Sequence, residues 1–284
     1  MARMLVAGAT GALGRHVTRE LKAAGHWVRI LTRSVQNPTD IYDDCVVADA
    51  LQAGSLERAT LGIDIVFSCM GQTVSADFAI RRPGFRQLDI PANLNLLHAA
   101  QQTGVRRFVY VSVYDAERYP QVAYFDAHAS AAQAVRSSGL SYAILQPTGF
   151  YSAMDSILDM VRRNQAVGFG SGDSRSNPIA DRDLAKLCVN AVTDDRCMDI
   201  PVGGPETFSR REILQTAFEA LGKPERIRHM PAWVPRVIGP VIGAFAPRMG
   251  DMMAFVHTIS TNDFVAPALG TMRLGDYFRQ RAVG

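Results

Sequence analysis

The run Met4-Leu5-Val6-Ala7-Gly8-Ala9-Thr10-Gly11-Ala12-Leu13-Gly14-Arg15 constrains this chain more than any other stretch. It reads as a short apolar strand, a glycine-rich turn and a helix opening near Gly11. A helix start offers unpaired backbone N–H groups and a partial positive charge, which together favour a phosphate. Glycines at 8, 11 and 14 permit a tight turn, close approach of a pyrophosphate and close packing of helix on strand. The helix predicted over Ala12 to Ala24 places Leu13, Val17 and Leu21 on one face, and Gly25 stops it. A second apolar strand, Trp27 to Leu31, completes a βαβ unit and runs into Thr32-Arg33-Ser34. A glycine triplet alone marks any strand-to-helix turn. In this setting it predicts a dinucleotide site built from Gly8, Thr10, Gly11, Ala12, Leu13 and Gly14.

The end of the second strand selects the dinucleotide. An NAD site usually places Asp or Glu there to accept hydrogen bonds from the adenosine ribose. This chain has Arg33 beside Ser34, and no acid before Asp40. An arginine fork matches a 2′-phosphate in charge and geometry, and Arg15 approaches the same place from the helix side. The expected cofactor is therefore NADP(H); the plainer alternative is that both arginines are solvated surface charges.

Apolar segments near 45–48, 63–69, 107–113 and 141–146 read as buried parallel strands, separated by helical stretches near 55–61, 85–103 and 124–138. Leu88, Ala92, Leu96 and Ala99 are spaced for one buried helix face, ended by Gly104. The fold class is α/β, a doubly wound parallel sheet of the Rossmann type. Residues 1–150 form the dinucleotide-binding core, and 151–284 a mixed substrate-side region packed on it. Ligands sit beyond the carboxyl ends of such strands. That points to Gly8–Gly14, Thr32–Ser34, Asp49–Leu51, Ser68–Thr73, Ser112–Asp115 and Gln146–Phe150.

Beyond Phe150 the rhythm is irregular. Gly168 to Pro178 reads as a loop, followed by a helix from Asp181 to about Val192 and a strand near Met198–Val202. Ser209, three residues before Glu212, has the form of a capping box. From Pro231 to Phe255 the chain is rich in apolar residues, but Pro and Gly there argue against one long amphipathic helix.

Bulk properties exclude several classes. A formal charge of +3 is too small and dispersed for a nucleic-acid partner. The arginine pairs at 81–82, 106–107, 162–163 and 210–211 read as solvated faces. Four cysteines, at 45, 69, 188 and 197, lack metal-ligand spacing or a disulfide pattern, so no metal site is expected. No targeting or transmembrane segment is expected, and a cytoplasmic monomer or homodimer is the default.

With these residues in place, the chain resembles the atypical, extended short-chain dehydrogenase/reductases, especially their NmrA-like, NAD(P)H-binding branch. The likeness covers nearly the whole length. Its landmarks are Gly8 to Gly14, Val47-Ala48-Asp49, Asp89 to Ala100, Phe108 to Ser112, Ser138 to Pro147, Ile179 to Ala185 and Gly203 to Glu206. The resemblance implies that Asp49 accepts from the adenine amino group with Ala50 nearby, or else is only a polar strand end. It implies that Ser68, Cys69, Met70 and Gly71 line the adenosine ribose and pyrophosphate. Ser112, Val113, Pro147, Thr148, Gly149 and Phe150 would lie near the nicotinamide. Cys69 reads as a small packing residue rather than a nucleophile.

Catalytic members of the wider family pair a Tyr with a Lys four positions later on one helix face. Here the pair is Tyr124 and His128, which can face one cleft. A neutral imidazole can bond a ribose hydroxyl but does not carry lysine's permanent charge. Tyr124, His128 and Ser112 are the candidate catalytic side chains, with core packing the alternative for Tyr124 and a helix-surface position for His128. Tyr114, Tyr124, Tyr151 and Met154 are candidate substrate contacts. Gln146 stands where relatives often have Arg, and Asp181 either caps its helix or meets ligand. The expected activity is reduction of a small, fairly apolar carbonyl or conjugated substrate by NADPH. Two alternatives are a non-catalytic NADP(H)-responsive sensor, regulator or assembly factor, and a protein held peripherally at a membrane or apolar partner through Trp233–Phe255.

Overall fold

The apolar runs pair in parallel, and that pairing brings the functional loops to one edge. The computed structural model describes residues 1–35, 40–72, 74, 83–194 and 196–283. Its first half runs β1 (Arg3–Ala7), α1 (Ala12–Ala23), β2 (Trp27–Thr32), β3 (Asp44–Val47), α2 (Glu57–Thr60), β4 (Ile65–Ser68), α3 (Phe85–Gln102), β5 (Arg107–Val111), α4 (Ala123–Arg136) and β6 (Ser141–Pro147). There follow α5 (Asp155–Arg162), β7 (Val167–Phe169), β8 (Arg175–Ser176), α6 (Asp181–Thr193), β9 (Met198–Val202), β10 (Phe208–Ser209) and α7 (Arg210–Ala220). The chain ends with β11 (Arg228–Met230), α8 (Trp233–Gly243), α9 (Pro247–Thr261) and α10 (Leu274–Val283).

The main sheet has seven strands in the order β3-β2-β1-β4-β5-β6-β9, all parallel. The direction of winding reverses beside β1, so the crevice between the ends of β1 and β4 is the place for a ligand. Alternation along β1 splits the core. Met4 and Val6 pack with Leu13, Val17 and Leu21 of α1 and with Leu184 and Cys188 of α6. Leu5 and Ala7 face the other layer, with Leu96 and Ala100 of α3 and Ala131 of α4. Both α6 and β9 come from beyond residue 150 and complete this helix layer and the sheet.

Three local expectations need correction. The buried stripe of α3 is Phe85, Asp89, Asn93, Leu96, Leu97, Ala99 and Ala100, while Leu88 and Ala92 are only half-buried. The first half of this helix lies over the loop after β4, whose backbone groups need polar partners; only its second half lies over the apolar sheet. Next, the stretch Gly168–Pro178 contains part of β7 and all of β8, which pair with β11 and β10 from far downstream. Their turn-rich composition hides a pairing that distant partners impose.

The arginine pairs are not uniformly solvated. Arg107 is buried at the start of β5, and its guanidinium donates to the Ala191 carbonyl (2.8 Å) and the Arg196 carbonyl (3.3 Å) near the end of α6. A helix end leaves such carbonyls without partners, and a cation suits them. Burial lowers the Arg210 guanidinium to about 10, and its Nε donates to the Ile259 carbonyl at 3.0 Å. Arg106, Arg162, Arg163 and Arg211 are exposed, and Arg81 and Arg82 lie outside the described residues.

In the C-terminal region, α5, α7 and α10 enclose a core around Tyr151, Leu158, Phe218 and Phe278. The Ser209–Glu212 capping box forms in both directions, at 3.1 and 2.7 Å. The apolar stretch from Pro231 is two helices, α8 and α9, interrupted at Ala244–Ala246. On its other side α9 packs against α4, contributing Met252 to a cluster with Phe85, Tyr124, Phe125 and Phe264.

Candidate active site

The glycine turn is a cradle that side chains would fill. Gly8 has φ +87°, and a Cβ there would lie 2.8 Å from the Cys69 carbonyl oxygen; one on Gly14 would lie 2.1 Å from the Gly8 carbonyl oxygen. Gly11 N donates back to the Gly8 carbonyl at 3.0 Å, and Thr10, Gly11 and Ala12 are exposed. No side chain caps α1, and its first turn carries no acid. The start of this helix therefore keeps its positive end open to an anion, which fits a dinucleotide pyrophosphate. Leu13 is buried beneath the turn, whereas Arg15 on α1 and Arg33 and Ser34 beyond β2 are exposed.

At the end of β3, Asp49 Oδ1 accepts from Leu51 N at 3.0 Å, closing a side-chain turn, and the Ala50 carbonyl accepts from Asn95 Nδ2 at 2.9 Å. Ser68, Cys69, Met70 and Gly71 follow β4. Asn93 accepts from Ser68 Oγ at 2.7 Å and donates to the Met70 carbonyl at 3.3 Å. One turn earlier on α3, the Asp89 carboxylate accepts from Gln72 N at 3.2 Å. Asp89 and Asn93 thus hold the strand-end loop from beneath, a role not expected from the sequence. Their spacing of four within a mostly apolar helix was the available signal. Burial pushes the Asp89 carboxyl up to about 6, against the opposing pull of Gln72 N–H and Arg248. Burial also pushes the Cys69 thiol up to about 12, and its Sγ donates to the Ala7 carbonyl, so it is a packing group rather than a thiolate.

The second half of the site lies at the ends of β5 and β6. A cavity of about 250 Å³ is lined there by Ser112, Val113, Tyr124, Pro147, Thr148, Gly149, Phe150 and Met154. Met252, Phe255 and Ile259 of α9 and Phe264 close its far wall. Ser112 Oγ is turned toward the His128 carbonyl at 3.5 Å, and Thr148 Oγ1 donates to the Asn177 carbonyl at 2.6 Å. Tyr124 is buried, its ring edge-on to Phe85 and Phe255, and its hydroxyl has no hydrogen-bond partner among the described residues. Burial and the Asp89 charge push its phenol well above 10.

His128 does not share the cavity wall and is not on the helix surface. It is buried behind Tyr124, ring centroids 4.8 Å apart, with Nδ1 2.9 Å from the Tyr110 hydroxyl. The Tyr110 proton has no other acceptor among the described residues, so it belongs on this bond and Nε2 carries the imidazole proton. Burial lowers His128 to about 4, which leaves it neutral near pH 7. Its ring edge lies next to Gly71, where a Cβ would be 3.8 Å from Cε1 and 3.9 Å from Asp89 Oδ2. Tyr110 sits inside a wholly buried strand, and nothing in its local sequence marks it out.

Two expected substrate contacts point elsewhere. Tyr151 is fully buried in the C-terminal core and donates to the Met272 carbonyl at 2.8 Å; Tyr114 is half-buried and packs beside the cluster around Phe125. Both are outside the cavity wall, which takes their neighbours Val113 and Phe150 instead. Asp181 neither caps α6 nor reaches the cavity; it accepts from Ser152 N (3.0 Å) and Ser152 Oγ (2.6 Å). Among the described residues no group of acids, histidines and cysteines is arranged to hold a metal, and no helix is long and apolar enough to cross a membrane.

Residues 8–195 match the NAD(P)H-binding family model. The photosystem II assembly factor Ycf39 of Synechocystis sp. is 31% identical over 274 residues, covering 91% of this chain and 80% of that protein. The chloroplastic divinyl chlorophyllide a 8-vinyl-reductase of Oryza sativa subsp. indica is 30% identical over 259 residues; the match covers 81% of this chain and 62% of the reductase. Among solved structures, AtPrR2 with NADP+ and (+)pinoresinol superposes with a TM-score of 0.74 at 19% identity, covering 98% of both chains. The Citrobacter sp. triphenylmethane reductase complexed with NADP(H) gives 0.72 at 18% identity over 99% of both. These two likenesses concern the fold. The glycine cradle, the switch point beside β1 and the match from Gly8 onward have one explanation: the chain belongs to the NAD(P)H-binding family.

Proposed function

We propose that the protein is an NADPH-dependent reductase of a small, fairly apolar carbonyl or conjugated compound. The observation that carries this is Tyr124, a buried phenol in the wall of a mainly apolar cavity at the strand ends, whose hydroxyl is unengaged while Ser112, Thr148 and Arg210 of the same wall are turned to carbonyls. In this reading the turn from Gly8 to Gly14 holds the pyrophosphate. Arg33, Ser34 and Arg15 hold the 2′-phosphate, Asp49 and Ala50 flank the adenine, and Ser68 to Gly71 line the adenosine ribose. Ser112, Val113 and Pro147 to Phe150 border the nicotinamide, and Met154 meets the substrate.

When bound, the dihydronicotinamide supplies a hydride. The protein supplies orientation, exclusion of water by the apolar wall, and a proton. Tyr124 stays a phenol at neutral pH because burial disfavours its anion, so it suits protonation of a developing oxyanion or carbanion. His128 is neutral and occupied by Tyr110; it positions the Tyr124 ring rather than supplying lysine's charge.

Consumption of NADPH against a panel of apolar ketones and enones tests the reading. Tyr124→Phe is expected to lower kcat/KM by roughly 10²–10⁴-fold without loss of NADPH binding. Arg33→Ala is expected to weaken NADPH by about 10–100-fold in calorimetric titration and leave NADH unchanged. Equal binding of NADPH by Arg33→Ala and its parent would remove the 2′-phosphate assignment.

One observation favours a second reading, a non-catalytic NADP(H)-responsive assembly factor or regulator. The cationic partner usual for such a tyrosine is replaced by a neutral, engaged His128, and one relative is named an assembly factor. Tight NADPH binding with no turnover by any acceptor, and no effect of Tyr124→Phe, would select it.

A further inference from the structure

The outer face of α8 is apolar where a helix on a protein surface is ordinarily polar. Trp233, Val237, Val241 and Phe245 recur every fourth residue, with Ile238 beside them, and their exposure runs from 41% at Ile238 to 82% at Phe245. On α8 this spacing lays Trp233, Val237 and Val241 along one side, and Phe245 follows in the turn just past the helix end. The opposite side, Pro235 and Gly239, is buried, with Gly243 packed against Gly250 of α9. Arg236 is the single charged residue of α8, and it is exposed. A contiguous apolar patch of this kind calls for a covering phase or partner.

Charge selects the occupant. From Arg226 to Gly250 the chain contains no Asp or Glu. Arg226, Arg228 and Arg236 are exposed and form no ion pair among the described residues, and Arg228 lies in β11, which leads directly into α8. The nearest acids in sequence flank this run rather than lie in it: Glu225 accepts from Gln215 Nε2 at 3.1 Å, and Asp251 from Phe85 N at 3.2 Å. A second copy is a poor fit, because a two-fold contact would set this arginine-bearing face against itself. An apolar stripe with a tryptophan, bordered by arginines and lacking acids, is complementary to an anionic lipid surface.

We propose that α8 docks the protein in the plane of an anionic lipid surface, inserting Trp233, Val237, Val241 and Phe245 among the acyl chains with the arginines at the headgroups. The proposal does not depend on the reductase reading. It does place the lipid one helix away from the cavity, since α9, on which α8 packs, forms the cavity's far wall.

Flotation of the full chain with vesicles of phosphatidylglycerol and phosphatidylcholine in equal parts, against phosphatidylcholine alone, tests it. Trp27 and Trp233 are the two tryptophans of the chain. In a Trp27→Phe background, binding to the mixed vesicles is expected to shift Trp233 emission to the blue. Val237→Glu combined with Val241→Glu is expected to abolish flotation while keeping the parent's circular dichroism and NADPH affinity. Replacing Arg226, Arg228 and Arg236 by Gln is expected to weaken partitioning on the order of a hundredfold. The proposal fails if no vesicle floats the protein, if phosphatidylcholine alone binds it equally, or if the double Glu variant still floats. It fails equally if sedimentation reveals a dimer that the double Glu variant dissociates, which would make a second copy the occupant.

Discussion

Helices α1 and α8 are nearly equal in length, 12 and 11 residues, and dispose their apolar side chains in opposite senses. In α1 Leu13, Val17 and Leu21 turn under onto the sheet, and Arg15, Arg19 and Ala23 face water. In α8 the side turned under is built from Pro235 and Gly239, and the large side chains face out. The partner makes the difference. A helix on a sheet fills the gap between layers with branched side chains. A helix on a helix can close up through glycines instead: a Cβ on Gly250 would lie 2.6 Å from the Gly243 Cα. The number of apolar residues in a helix therefore does not say which of its faces is buried; the size of the residues on each face does.

The largest way to break this contrast is to spoil the close approach beneath α1. Gly14→Ala sets a methyl group 2.1 Å from the Gly8 carbonyl oxygen and against the Ala9 Cα, all backbone atoms with no rotamer to yield. A loss of roughly 4 kcal/mol in urea unfolding is expected, with loss of NADPH binding in calorimetry. A variant that keeps the parent's midpoint would mean that α1 is not seated on the turn as closely as described.

How far the sequence reveals this follows from the same distinction. Patterns that depend on neighbours a few residues away were legible: the βαβ unit, the face of α1, the apolar runs that form the parallel strands, the Ser209–Glu212 capping box, and the Pro and Gly residues that rule out one long helix over Trp233–Phe255. Features set by partners distant in sequence were not. Arg107 looked solvated because the α6 carbonyls it caps lie more than eighty residues on. The stripe of α3 was read through Leu88 and Ala92, since nothing local shows that half the helix lies over a polar loop. In the site, the cavity-lining residues at the ends of β5 and β6 were legible as strand ends. The Tyr110 bond that turns His128 inward crosses from strand to helix and leaves no trace in either pattern.

A smaller effect separates α3 from both other helices, because its buried face carries charge. Asp89, raised to about 6 in the fold from 3.8, costs stability as a carboxylate and is relieved as pH falls through 6. His128, lowered to about 4 from 6.5, does the reverse: unfolding takes up a proton below pH 6.5 that the folded imidazole refuses, so stability is lost as pH falls. Each is worth about 1.5 kcal/mol between pH 7 and pH 5, with opposite sign. Relative to the parent, Asp89→Asn should lose more stability over that interval and His128→Asn less, both read from urea midpoints at the two pH values. Identical pH dependence in all three proteins would place these groups in contact with water.

The smallest expected effect is the sharpest test of the comparison, since it applies one chemical change to both helices. Val17 on α1 is fully buried, and Val241 on α8 is 65% exposed. Truncating a buried valine removes its transfer free energy and leaves a partly unfilled space, so Val17→Ala should cost about 2 kcal/mol. Val241→Ala removes methyl groups that already meet solvent and should change stability by less than about 0.5 kcal/mol. The measurement is a pair of urea titrations at low protein concentration, repeated at a tenfold higher one. If Val241→Ala costs as much as Val17→Ala and the cost grows with concentration, the outer face of α8 is covered by another copy. If the cost is equal but independent of concentration, α8 is turned the other way on α9. A cost near zero at both concentrations leaves the apolar face outward and uncovered in water.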